Sequence, residues 1–451
     1  MTATAATLPT RGVDRAPRRV GTLTAYRWEI TKLAAQARVR YTALGCLLAP
    51  IVAVVILAAQ QSPPKDTLFG RHIHDSGYAM PLLILGFTSQ WVLPLLTALV
   101  AGDLFASEDH HGTWKTVLTR SVSRAQIFWA KTLAAATFAV LVLTVLSAST
   151  IVSSLLIVGR QPLVGLTGQV IPPGTATVLV TVSWGSELVP LLGFTALAIL
   201  LSVLTRNPAA GVAAPVVLGL VMELLSGLGG LNAARQLLLT TPFEAWHGLF
   251  TAHRFYGTLT TGLIVCAAWS VGCLTLSYIL VASPRHHRRL NPMRTRSIRF
   301  RPRRVLPVLG AAGTMLLLSA CGSSDVTAAR LEASLAPTFA DLYVQQAAIL
   351  GHPDTTVAST DAHATCDKGG PKVADVGAGA DWICMIDFTD QDHVPQTGKF
   401  EVQAHTDSCY TAGGPSKLIG LQTITDTAGV DVTNPVFEFD GCFDPPRGVT
   451  T

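Results

Sequence analysis

Charge and aromatic side chains are both scarce here: 14% of the 451 residues are Asp, Glu, Lys or Arg, and 7% are Phe, Trp or Tyr. Soluble domains carry about 25% charge, so an ordinary multi-domain soluble protein is excluded and a membrane protein is indicated. No G-x-x-x-x-G-K-[ST] phosphate loop occurs; Gly413-Gly414-Pro415-Ser416-Lys417 lacks its spacing, so ATP hydrolysis at such a loop must come from another chain. No H-E-x-x-H pair occurs, and Glu108, Asp109, His110 and His111 are adjacent rather than helically spaced, so no metal site is read there. The apolar segments hold no paired catalytic signature, which leaves no basis for intramembrane hydrolysis; the chain is read as a non-enzyme. Residues 1–22 are rich in Ala, Thr, Pro and Arg without an apolar run, so no cleavable signal and a disordered arm are expected.

What is abundant is apolar sequence, in six segments near 42–60, 79–101, 132–158, 177–204, 209–229 and 258–282. At about 1.5 Å per residue each is long enough to cross about 30 Å of hydrocarbon as a helix. Before them, Leu23, Tyr26, Ile30 and Leu33 recur at helical spacing opposite Arg27, Lys32 and Arg38, which suits a helix lying on the membrane surface. With the N-terminus in the cytoplasm, the inner segments carry 22 Lys and Arg and the outer loops 5. Loop Lys and Arg set orientation, and the same rule accounts for the basic half without nucleic acid.

The net charge of +5 conceals two halves, +17 through Cys321 and −12 after it. Two compartments are implied. Six crossings return the chain to the cytoplasm before a basic linker, 284–304. There follows "RFRPRRVLPVLGAAGTMLLLSACGSS", whose run at 305–321 has the pattern of a bacterial lipoprotein signal. It supplies another crossing, either as a signal cleaved before a lipidated Cys321 or as an uncleaved seventh span. Beyond it, 322–451 is expected to be a small extracytoplasmic α+β domain. Leu331, Leu335, Phe339, Leu342 and Leu350 line one helical face, with Ser324 or Asp325 as N-cap, and "DWICMIDFT", "KFEVQAHT" and "PVFEFDG" alternate as strands. Cys366, Cys384, Cys409 and Cys442 allow two disulfides in any of three pairings; four reduced thiols are the plainer alternative.

The loop between the second and third segments, "AGDLFASEDHHGTWKTVLTRSVSRAQIFWAK", is the most informative. Glu108, Gly112-Thr113-Trp114, Val117-Leu118, Arg124 and Lys131 resemble the "E…GT…LL…P(V/I)SR…I…K" signature of ABC-2 type transporter permeases, with Ser121 where that family usually has Pro. The surface helix at "WEITKLAAQARVR" is similar to the family's elbow helix. The resemblance covers an arm and elbow at 1–41 and a six-helix membrane domain at 42–283, an all-α polytopic fold. It implies a permease that exports substrate by alternating access, with a second permease copy or a related one and separate ABC ATPase subunits that hold ATP and Mg. This chain itself would need no cofactor. In such a loop Glu108 favours a helix start, Gly112 permits close approach, Trp114, Val117 and Leu118 offer an apolar face to a partner, and Arg124 and Lys131 meet lipid headgroups.

Glu187 and Glu223 stand in apolar segments, where carboxylates usually face a cavity or partner, and are read as a substrate path toward the outer leaflet. His72 and His74 beside Asp75 are read as solvated loop residues rather than ligands. Between the last two segments Phe243, Trp246 and Phe250 are expected at the membrane interface on a helical hairpin, interrupted at Pro242 and Gly248. A second reading, from another class, is a membrane-anchored receptor or lipoprotein-type binding module whose spans are a scaffold.

Overall fold

Among the described residues of the computed structural model, six helical stretches have the length and apolarity to cross a membrane: Ala37–Ala59, Ala79–Glu108, Arg124–Ile157, Pro173–Thr205, Pro208–Ser226 and Gly257–Ala282. The structure describes residues 21–60, 64, 67–110, 123–226, 235–282, 326–370 and 372–443, excepting the side chains at 109 and 110. The stretches extend past the apolar runs where local signals favour helix. In α6 (Arg124–Ile157) the Ser123 hydroxyl accepts from the Gln126 N–H and the Gln126 side chain accepts from the Ser123 N–H. This capping box starts the helix well before its apolar part and draws Lys131 into it.

Ahead of the bundle lies α1 (Thr22–Ala35), followed after Gln36 by α2 (Ala37–Ala59). Both pack on α6, and the Tyr26 hydroxyl lies 2.9 Å from Thr137 Oγ1. The second span is α3 (Ala79–Phe87), a π-helical turn at Thr88–Val92, α4 (Leu93–Ala101) and α5 (Ala106–His110). Pro94 has no N–H to give the Gln90 carbonyl and its ring crowds that carbonyl, so the chain widens there, with the Leu93 N–H bonded back to Thr88 O. The fourth span breaks at Glu187, between α7 (Pro173–Ser186) and α8 (Leu188–Thr205). Pro190 leaves the Ser186 carbonyl without its helical donor, which explains a joint at this point. Helix α8 is the centre of the bundle, packed by α4, α9 (Pro208–Ser226) and α10 (Gly257–Ala282). At one end of the bundle α4 and α9 meet backbone to backbone: a Cβ on Gly102 would stand 2.3 Å from the Gly211 carbonyl oxygen, so only glycine fits.

The C-terminal region is α+β. Helix α11 (Ala328–Ile349) covers one face of an antiparallel sheet of order β3-β4-β5-β6-β9, made of His363–Lys368, Gly379–Thr389, Pro395–Ala404, Cys409–Gly413 and Glu438–Cys442. Two-residue strands β1 (Leu163–Val164) and β2 (Val170–Ile171) lie between α6 and α7, and β7 (Thr423–Thr425) with β8 (Asp431–Thr433) forms a separate hairpin. Along β4, Trp382, Cys384, Ile386 and Phe388 alternate inward and meet Phe339 and Tyr343 of α11. Of the three pairings open to the cysteines, the structure has Cys366–Cys384 and Cys409–Cys442, each joining directly opposed residues of neighbouring strands. The N-cap of α11 is Thr327; Ser324, Asp325, Cys321 and the 305–321 run lie outside the described residues.

This region sits against one end of the bundle, on the connections α2–α3, α6–α7 and α9–α10. The Cys442 N–H donates to Leu166 O at 3.1 Å, the Gln345 side chain donates to Gly168 O, and the Phe69 N–H donates to Asp440 at 3.2 Å. The α9–α10 connection corrects one expectation. Its described part forms 3-10 turns at Thr241–Glu244 and His247–Phe250, and Phe243, Trp246 and Phe250 are buried rather than interfacial. Phe69 stacks with Trp246 and meets Phe250 edge-on, so the aromatics close on one another beneath the C-terminal region.

Candidate functional site

At the end of the bundle away from the C-terminal region, four charged side chains converge from three helices. Lys131, 1% exposed, donates to Glu108 Oε1 at 2.8 Å and to Glu29 Oε2 at 3.1 Å. Lys32 of α1 reaches the same Glu108 oxygen at 2.8 Å. Burial works to lower the Lys32 pKa, but the Glu108 hydrogen bond and charge outweigh it, so the ammonium is held above its usual range. Next to this cluster Arg38 pairs with Asp103, and the Ser202 hydroxyl accepts from the Phe105 and Ala106 N–H groups. A displacement of α5 is thereby transmitted to α1, α2, α6 and α8 together.

The sequence singled out Glu108 and Lys131, and the structure brings them into contact. Lys131, expected to meet lipid headgroups, is instead buried between two carboxylates; Lys32 was read only as part of the polar side of the surface helix, and Glu29 was not singled out. A usable signal existed: a lysine within a helix this buried needs an anionic partner. Arg124 is half-buried at the start of α6, away from these contacts. Gly112, Thr113, Trp114, Val117 and Leu118 lie outside the described residues.

At the other end, the bundle and the C-terminal region line an open cavity of about 430 Å³. Glu223 of α9, Glu244, Trp246 and His247 line it from the bundle side, and His405 and Asp407 from the other. The π turn turns Gln90 toward it, and its amide donates to Glu244 Oε1 at 3.1 Å. Arg235 stands behind Glu244 at 3.6 Å. Burial, and then the charge of Asp407, push the Glu244 pKa up to about 7. Asp407 behaves oppositely: burial would raise its carboxyl, but the His247 imidazole 3.1 Å away holds it well below the usual range. Cys409 Sγ lies 3.7 Å from His247 Nδ1, which makes His247, Asp407 and Cys409 a formal metal-capable group. The sulfur is bonded to Cys442, so no thiolate is present to bind a metal.

Residues 26–226 match the profile of the family described as ABC-2 family transporter protein. Over those residues the chain is an ABC-2 family segment. The match runs from the elbow helix through α9 and takes in the whole Glu29, Lys32, Glu108 and Lys131 cluster. No curated protein matches the chain. The chain is thus a multi-pass membrane protein of a transporter family, with an α+β region appended to its ABC-2 domain.

Within that ABC-2 domain the two acidic candidates separate. Glu223 lines the cavity. Glu187 is fully buried at the α7–α8 joint, and its carboxylate has no hydrogen-bond partner among the described residues. His72 sits 3.5 Å from Asp75, an ordinary loop pair.

Proposed function

We propose that this chain is the membrane subunit of an ABC exporter, driven by separate ATPase subunits that bind the 102–131 loop, and that it works beside a second permease copy. The observation that carries this reading is the buried cluster in which Lys131 bridges Glu108 and Glu29. It makes the elbow helix and the root of the loop one mechanical unit, as a permease without its own motor requires. The family match supports the same direction.

The C-terminal region is placed outside the cell in this proposal. Helix α10 ends at Ala282 beside the charged cluster, whereas Val326 resumes at the opposite end of the bundle. The intervening chain therefore has to travel the length of the bundle, and 305–320 is its apolar part. Cys321 would then emerge at the outer face, available for a lipid.

Affinity purification of the tagged full chain from its native membrane is the test. An ATPase should co-purify in stoichiometric amount and be lost with Gly112→Pro, which stiffens the loop while sparing the described contacts. A complex that contains no ATPase in the unsubstituted protein would reject the exporter and favour the receptor.

A further inference from the structure

We propose that the C-terminal region and the bundle jointly form one binding chamber for an organic cation, which deepens the exporter reading by naming the class of its substrate. Three carboxylates from distant parts of the chain, Glu223, Glu244 and Asp407, line the 430 Å³ space, and among the described residues no Lys or Arg does. Arg235 is within 3.6 Å of Glu244 but stands outside the lining and offsets one charge of the three. Carboxylates gathered around a low-dielectric space concentrate cations and repel anions.

The size and the remaining lining favour an organic cation over a bare metal ion. Small-molecule sites span about 300–1,000 Å³ and combine an apolar body with a few placed polar groups. Leu82, Leu83 and Phe87 provide the apolar part. Trp246, also in the lining, is 1% exposed, and its indole N–H has no acceptor among the described residues. That N–H is itself sealed from the cavity, so Trp246 contributes to the lining as an aromatic ring, and aromatic rings attract cations. The nearest metal-capable trio has lost its sulfur ligand to the Cys409–Cys442 bond. Because Asp407 belongs to the appended region, that region is part of the site and not a bystander tethered near it.

The test uses the full chain in lipid nanodiscs without any ATPase, with radiolabelled tetraphenylphosphonium as probe, the equal-sized tetraphenylborate anion as counter-probe, and empty nanodiscs to subtract partitioning. At pH 8, where Glu244 is ionised, saturable binding of the cation is expected, none of the anion, and a loss of about tenfold or more in affinity with either Glu244→Gln or Asp407→Asn, since each removes a negative charge from the lining. Hydrogen exchange at 163–172, a stretch the C-terminal region covers, reports whether that region stays seated. If Asp407→Asn unseats it, Thr411→Lys replaces that variant; it sets a positive charge on the same wall away from the His247 contact and should weaken the cation equally while 163–172 stays protected.

Absence of saturable cation binding overturns the proposal, as does equal binding of the anion. Loss with Glu244→Gln but not with the seated C-terminal variant removes the shared wall and overturns it too. Each of these outcomes leaves ATPase co-purification untouched, and an ATPase-free complex leaves cation binding untouched, so the two readings fail separately.

Discussion

A lysine that is 1% exposed between two carboxylates leaves those carboxylates stranded when removed. Lys131→Met is expected to destabilise the membrane domain by about 3–5 kcal/mol, as breaking a buried ion pair does, and Lys131→Arg by less; thermal unfolding in detergent measures both. Glu244 gives a pH signature. Its folded pKa, about 7, lies above the 4.5 of the free side chain, so the folded state binds the extra proton between those values and gains stability as pH falls across that window. Asp407 has the opposite sign but loses its contribution only below the ordinary carboxylate range. His247, Arg235, Asp407, Glu223 and Glu187 are charged or titratable groups around Glu244. The melting temperature should therefore rise from pH 7.5 to pH 5, and Glu244→Gln should remove the rise. At this scale the sequence was half legible. Glu108 and Lys131 stood out through the loop's resemblance to a family signature, whereas Glu29 and Lys32 sit three residues apart on an amphipathic helix, and nothing local tells a lipid-facing side from one that meets α6.

Strands and spans were legible wherever one face repeats. The alternation in β4 and β5 is visible in Trp382, Cys384, Ile386 and Phe388 and in Phe400, Val402 and Ala404. Strand β3 alternates but fully buries only Cys366, and β6 is five residues long with Cys409 and Tyr410 buried side by side, so the period-two signal is too weak in either to identify a strand. Their cysteines could not be paired from sequence because pairing follows register, and register is set by partners across the sheet. The Cys409–Cys442 bond fastens β6 to β9 beside Asp407 and Asp440, the residues that meet His247 and Arg71. Cys409→Ala with Cys442→Ala is expected to destabilise the C-terminal region by about 2–4 kcal/mol and to raise hydrogen exchange at 163–172. Unchanged exchange there would show that the bond plays no part in seating.

For the molecule as a whole, the segregation of positive and negative charge leads to the expectation of two environments on which the proposed threading rests, because loop charge sets orientation and an acidic, cysteine-bearing domain suits the other side. Seating of one part on the other was not legible; Arg71 and Asp440 are 369 positions apart and look like surface charges in sequence, yet they meet at 3.1 Å, both buried. The proposed threading places Lys115→Cys and Asp381→Cys on opposite faces, so a membrane-impermeant thiol reagent applied to intact cells should label the second only. Palmitate label on a short C-terminal fragment in the same cells would establish processing at Cys321, and a single unlabelled full-length band would reject it. The shared chamber has a further consequence. On the proposed reading, a domain that forms one wall of the compartment has to shift before cargo of that size can leave past it. Turnover then runs on two clocks, nucleotide hydrolysis at one end and the shifting of that wall at the other; tightening the Arg71–Asp440 clasp would slow the second without touching the first.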